Sequence, residues 1–369
     1  MKKIIISLAT LFCTVVLTAQ NFSNIPTAIV ETLHSDIVGQ DYKLYISLPH
    51  DYNPQKRTYP VFYYLDAWNS SGGMNEMVKT KMFMNEIDRV IMVGISYDAN
   101  PMTHPQIRMR DYCPPINEKD TLKGGEKFYR FIAQELIPHM EESYAADPND
   151  RGLLGHSISA LFTAWTLKQE PVLFNRLAIS SPSLWYGGDE FLLENEQFLR
   201  TLENTQGLRI FICYGSLEPK KGHVLKGDKL FDLISKNEKN HVHKVIFEDE
   251  THGTVWYPGT AKALNYLYQS DYKLYMSEGM RYFDNNNFDK ALQRFELAFS
   301  ANPKEADDGD RYNFACLYSL TGNADKAFQY LETMKQSKRN WHAHMLKDAD
   351  LVPLHDDSRW NTLLAELKK

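Results

Sequence analysis

Residues 151–160 read Arg151-Gly152-Leu153-Leu154-Gly155-His156-Ser157-Ile158-Ser159-Ala160. The run into Leu154 suits a short buried strand, and Ala160 to Leu167 continues with helical character. Between them the chain must turn sharply at Gly155-His156-Ser157. A strand-to-helix turn of this kind holds a serine in a strained backbone conformation, exposed above the edge of a sheet. Small residues are required on either side because strand and helix approach closely. The usual form is G-x-S-x-G; here Ser159 stands at the last position and Ala160 follows, both of them small.

Outward from this turn, strand-like and helix-like segments alternate over residues 25–270. Tyr42 to Leu48 alternates apolar and polar residues. Pro60–Leu65 and Val90–Ile95 are short apolar runs rich in aromatic and β-branched residues, which suits buried strands. Leu177–Ile179, Leu208–Cys213 and Val242–Phe247 are further strand candidates. Gly125 to Tyr144 has helical spacing at Phe128, Phe131, Ile132, Leu136 and Met140, and Pro138 should kink it or lie near its end. The pattern predicts an α/β fold with a mostly parallel sheet covered by helices on both faces.

From Asp271 to residue 369 the pattern is helical throughout. Gly279, Tyr282, Ala291, Phe295, Ala298 and Pro303 take the spacing of a tetratricopeptide repeat. Ala315, Tyr318, Ala327 and Leu331 repeat the first four of these positions 36 residues later, with turns at Asn286-Asn287 and Thr321-Gly322-Asn323. Small residues let paired helices approach and large ones fill the gap between them. Trp341 to Leu367 is expected to supply capping helices.

At the other end, Lys2-Lys3 is followed by the apolar run Ile4–Leu17 and by Leu17-Thr18-Ala19. This is the pattern of a secretory signal peptide, residues 1–19, cut after Ala19. A membrane anchor and a lipoprotein cut before Cys13 are the alternatives. The anchor reading meets a run short for a bilayer, and the lipoprotein reading meets the bulky Leu11-Phe12. Export to the periplasm or the cell exterior follows from the first reading. Cleavage removes two lysines and no carboxylate, so the formal charge moves from -6 to -8. That balance, with no basic cluster, argues against nucleic acid as a partner. Cys113, Cys213 and Cys316 are too far apart and too few for a disulfide framework, and there is no C-x-x-C zinc pair.

Ser157 needs a base to take its proton, and in this fold the base comes late in the chain. Of 12 histidines, His252 lies just beyond the candidate strand Val242–Phe247. His223, His241 and His243 are its rivals. His223 falls in a Lys- and Gly-rich loop, and His241 and His243 flank Val242 at a strand start where solvation is expected. Glu218, in the loop after Leu208–Cys213, is placed to orient the imidazole. Asp228 is the second choice, and a Ser157–His252 dyad without an acid is the third. The oxyanion of an acyl-transfer intermediate requires backbone N–H donors. These are expected from Ile158 and from Ala67 or Trp68, in the loop after Pro60–Leu65. No metal or organic cofactor is needed.

Taken together the motifs resemble the esterase family of α/β-hydrolases that includes esterase D, siderophore (enterobactin) esterases, feruloyl esterases and mycolyltransferases. The resemblance spans roughly residues 30–268. It rests on Tyr59-Pro60-Val61 leading to Leu65-Asp66, on Arg108-Met109-Arg110-Asp111-Tyr112 with Pro114, and on Phe131-Ile132 with Glu135-Leu136-Ile137-Pro138. It rests further on Gly155-His156-Ser157, on Ser180-Ser181-Pro182-Ser183-Leu184-Trp185, and on Glu218 with Thr251-His252-Gly253. It departs from the family at Ser159-Ala160, where Gly-Gly or Gly-Ala is common, and at Ala67, where many relatives carry Gly. The helical extension resembles tetratricopeptide extensions on some exported relatives.

The resemblance implies a serine esterase acting through an acyl-enzyme. Ser157, His252 and Glu218 would be catalytic, and Arg108, Arg110, Trp185 and Tyr186 would shape the substrate pocket. The implied substrates are siderophore lactones, glycan-linked feruloyl or acetyl esters, or other small acyl esters. An acyltransferase on the same scaffold is one alternative. The other is a non-catalytic binding protein using the helical repeats, which could also hold a protein partner beside a working esterase. No membrane span is expected in the mature chain.

Overall fold

The computed structural model describes residues 28–97, 105–115, 124–169 and 172–368. The expected signal peptide, residues 1–19, lies outside them.

Eight strands form one sheet: β1 (Ile29–Ser35), β2 (Gln40–Ser47), β3 (Tyr59–Tyr64), β4 (Ile91–Tyr97), β5 (Ala146–His156), β6 (Arg176–Ser180), β7 (Arg209–Gly215) and β8 (His241–Phe247). Their spatial order is β1-β2-β4-β3-β5-β6-β7-β8. β1, β2 and β4 pair antiparallel, and every pairing from β4 to β8 is parallel. The apolar runs read as buried strands are buried on both faces. Along β3, Val61 and Tyr63 enter one core, while Phe62 and Tyr64 enter the other. β1 shows no such run. It is a largely exposed edge strand, and the sequence reading passed over it.

Helix α1 (Ala67–Phe83) follows β3, and α2 (Pro105–Tyr112) follows β4. The loop expected at Ala67-Trp68 is therefore the first turn of a helix. Ser70-Ser71-Gly72-Gly73 lowers its intrinsic propensity and hid it in the sequence; packing of Met74, Val78 and Met82 against the sheet overrides that. The helical stretch before β5 is α3 (Gly124–Phe131), a π-helical turn at Ile132–Leu136, and α4 (Ile137–Ser143). Pro138 sits just after the wide turn. A proline lacks an N–H and crowds the carbonyl four residues earlier, and the π turn gives that carbonyl room.

Helix α5 (Ile158–Thr166) follows β5, and α6 (Asp189–Leu192) and α7 (Glu196–Asn204) follow β6. Next come α8 (Leu225–Ser235) after β7 and α9 (Trp256–Tyr268) after β8. α3 to α5 pack on one face of the sheet, and α1 and α9 on the other.

Beyond Asp271 the described chain is helical: α10 (Asp271–Asp284), α11 (Phe288–Ala301), α12 (Asp308–Leu320), α13 (Ala324–Thr333), α14 (His342–Met345) and α15 (Ser358–Leu367). They close over a core of their own, in which Ala291, Phe295, Ala298, Ala315, Ala327 and Leu331 are buried. The side chains of Asn287 and Asn323 cap α11 and α13 at corresponding places, each accepting the N–H three residues on.

α10 also meets the sheet. His241 bonds Glu278 at 2.8 Å, and His243 bonds Arg281 at 2.8 Å while stacking on Tyr266. The expectation that these two histidines are solvated is therefore corrected. They face a helix supplied by the last quarter of the chain, which local sequence could not reveal.

Candidate active site

β5 ends at His156, and Ser157 follows with φ 62° and ψ −119° before α5 begins. That left-handed backbone is costly for serine and turns its side chain out above the sheet. Gly155 is obligatory here: a Cβ would come within 2.2 Å of the Ser159 carbonyl oxygen.

His252 stands in the loop between β8 and α9. Its Nε2 lies 2.9 Å from Ser157 Oγ, and its Nδ1 lies 2.9 Å from Glu218 Oε2. Glu218 follows β7 and has its side chain fully buried. Its other oxygen accepts from Ser181 Oγ at 2.5 Å and from the Gly215 N–H at 2.8 Å. Burial alone would raise this carboxyl, but the bonds from His252, Ser181 and Gly215 outweigh it and hold the group below its usual range. Gly215 lets the two loops touch, since a Cβ there would meet the Glu250 carbonyl oxygen at 2.1 Å.

Asp228, the alternative acid, is elsewhere. It accepts from Tyr214 and Lys244 on the flank of α8. His223 lies in the π-helical turn Lys220–Val224, with its side chain outside the described residues.

Two helices begin at this place. β3 and β5 are neighbours, and each is followed by a residue with positive φ, Asp66 (58°) and Ser157, directly before α1 and α5. The first N–H groups of a helix have no acceptor within it, which holds for Ile158 at the start of α5 and for Ala67 and Trp68 at the start of α1.

A cavity of about 410 Å³ opens here, with Ser157, His252, Arg108, Trp68, Trp256 and Tyr257 in its wall. His156 also faces it, 4.8 Å from the His252 ring and 5.5 Å from Trp256. Burial, reinforced by His252, depresses His156 to about 3, so it is neutral near pH 7 and adds no charge beside the base.

Comparisons with known proteins give the chain a family. The family described as "Putative esterase" matches residues 35–260. The chain belongs to this esterase family. It is a carboxylic ester hydrolase.

Among its relatives, the ferri-bacillibactin esterase of Bacillus subtilis is 30% identical over 214 residues, covering 54% of this chain and 73% of that protein. A crystal structure of the BES protein from Bacillus cereus superposes with a TM-score of 0.60 at 25% identity, covering 66% of this esterase and 96% of that chain. An IroE-like serine hydrolase from Shewanella oneidensis shares the fold at 20% identity and a TM-score of 0.56. It covers 84% of this chain and 99% of its own. That share exceeds what residues 1–270 contain, so the likeness of fold continues into the C-terminal helices.

The structure divides the residues expected to shape the pocket. Arg108 reaches the cavity, but its guanidinium is committed to Asp66 through bonds of 2.6 and 2.7 Å. Arg110 is paired instead with the buried Asp111, which also accepts from Tyr42. Among the described residues, neither Arg110, Trp185 nor Tyr186 lines this cavity. Trp185 projects into solvent, and Tyr186 packs edge-on to Phe191.

Conversely, the sequence reading missed Trp256 and Tyr257 as pocket walls. It also missed Ser183, whose Oγ lies 3.4 Å from Ser157 Oγ. Their sequence signal is only proximity to the Thr251-His252-Gly253 and Ser180–Trp185 motifs.

Proposed function

We propose that the chain is an exported serine esterase that cleaves siderophore esters through an acyl-enzyme on Ser157. The observation that carries this reading is the line Ser157–His252–Glu218, with both links at 2.9 Å, at the wall of the cavity. The substrate class is supported by the relative named for ferri-bacillibactin hydrolysis, and export by the pattern of residues 1–19.

In the first half-reaction, Ser157 Oγ attacks the ester carbonyl carbon while its proton passes to His252 Nε2. The imidazolium that forms is stabilised by Glu218, whose depressed pKa keeps it ionised. The carbonyl electron pair moves to oxygen, where the N–H groups of Ile158 and of Ala67 or Trp68 receive it. The intermediate collapses as the alcohol leaves with the proton from Nε2. Water, activated by His252 in turn, releases the acid and restores Ser157. The C-terminal helices form a tetratricopeptide-like pair of hairpins that braces β8 through Glu278 and Arg281.

The test uses mature protein, Ser157→Ala, a series of p-nitrophenyl esters and a siderophore lactone such as enterobactin. Hydrolysis of both substrate types by the wild type and of neither by the variant is expected. Cleavage of the simple esters with no turnover of the lactone would remove the siderophore assignment. Equal rates in wild type and variant would remove Ser157.

A further inference from the structure

The carboxylate of Asp66 is buried between the two helix starts, and its surroundings are unusual. Asp66 is the residue before α1, yet its side chain does not cap that helix. It turns the other way. Both oxygens are taken by Arg108 of α2 in a two-pronged ion pair, and Oδ2 also accepts from Ser159 Oγ at 2.8 Å. The backbone N–H of Asp66 donates to Tyr112 Oη at 3.3 Å.

Ser159 is bound just as closely to the serine turn. Its hydroxyl accepts the His156 N–H at 2.9 Å and lies 2.8 Å from the His156 carbonyl oxygen. One fully buried hydroxyl thus joins the backbone that presents Ser157 to the carboxylate at the head of α1.

We infer that Ser159, Asp66 and Arg108 form a positioning network that fixes the head of α1 against the head of α5, and so sets the spacing between the two oxyanion donors. The physical need is evident from the backbone. Asp66 is a non-glycine at φ 58°, a conformation that costs free energy unless its surroundings hold it. A carboxylate gripped by a bidentate arginine and a hydroxyl is held in both position and orientation. If the grip fails, the turn relaxes and the Ala67 and Trp68 N–H groups shift relative to the Ile158 N–H. Donors that are preorganised for the oxyanion lose their value when displaced, and a misplacement near 1 Å costs about 10²-fold. Arg108 then acts through Asp66, as a positioning residue.

The inference rests on the proposed role of Ser157, so the test separates the two. Ser159→Ala, Asp66→Asn, their double variant and Ser157→Ala are assayed on p-nitrophenyl acetate, with thermal melts to confirm folding. Ser159→Ala should lower kcat on the order of tenfold, less than the loss of a donor outright, with KM within about twofold. The double variant should be no slower than Asp66→Asn alone, because one network is broken once. A folded Ser159→Ala with wild-type kcat, or with its whole defect in KM, would overturn the network. Activity in Ser157→Ala would instead overturn the nucleophile. Should Asp66→Asn fail to fold, Ser159→Ala and Arg108→Lys replace it in the cycle with the same expected non-additivity.

Discussion

At the C-terminal ends of the parallel strands the chain turns through Asp66, Ser157, Ser181 and Asp249, four non-glycine residues with φ between 45° and 62°. At the opposite ends one non-glycine residue, Asn85, has a positive φ of 55°, and ion pairs concentrate around it. Arg176 holds Asp150 through bonds of 2.5 and 2.6 Å, and Arg209 donates to the carbonyls of Leu267 and Gln269 and to Asp271. One end carries strain and aims side chains and N–H groups at a cavity. The other end pins the last turn of α9 and the first residue of α10. Strain at one rim can persist because the structure is cross-linked elsewhere.

The largest expected effects fall at the strained end. Ser157→Ala or His252→Ala should lower kcat by on the order of 10⁶, and Glu218→Gln by on the order of 10⁴, while Asp228→Asn stays near wild type. Steady-state kinetics on one p-nitrophenyl ester ranks them. A Glu218→Gln enzyme as fast as wild type would leave His252 acting without its acid.

The next effect should fall at the opposite end and have the opposite character. Arg176→Met strips a half-buried partner from Asp150 and should cost about 2 kcal/mol of stability in urea unfolding, with kcat unchanged. A variant that loses activity without losing stability would erase the distinction between the two ends.

The smallest effect is a pH dependence shared by the site and the seam with α10. Unfolded, His156 and His243 titrate near 6.5; folded, burial with His252 beside the first and Arg281 beside the second depresses them to about 3 and about 4. Above 6.5 both are neutral in either state, and their contribution is fully present. As pH falls through that window the unfolded chain binds protons that the folded chain refuses, so stability declines. Glu218, also depressed, adds in the same direction at still lower pH. Calorimetric melting temperatures should fall between pH 7.5 and 5, and less steeply in His243→Asn. A flat profile would contradict the burial of these imidazoles.

Much of this was legible in the sequence wherever the signal is local. β3, β4 and β7 are apolar on both faces, so they stand out as runs. Ser157, Glu218 and His252 follow the ends of β5, β7 and β8, in an order that the architecture prescribes. β1 was illegible because an exposed edge strand needs no apolar run, and α1 because its Ser-Ser-Gly-Gly segment is helical only by virtue of packing. The site was harder where distance in sequence matters. Arg108 reads as a substrate ligand until Asp66 is seen to grip it. Arg110 reads the same way until Asp111 does so. His241 and His243 read as solvated until α10 arrives from the C-terminal segment. His156 and Trp256 carry no motif meaning; their place beside His252 exists only in the folded chain.

The central claim is that Ser157 is the nucleophile and that His252 activates it. A serine-directed fluorophosphonate, followed by peptide mass spectrometry, tests it most directly. The account predicts a single adduct on Ser157, absent in Ser157→Ala and formed far more slowly in His252→Ala. An adduct on another residue, or an unlabelled protein that still hydrolyses esters, would contradict it.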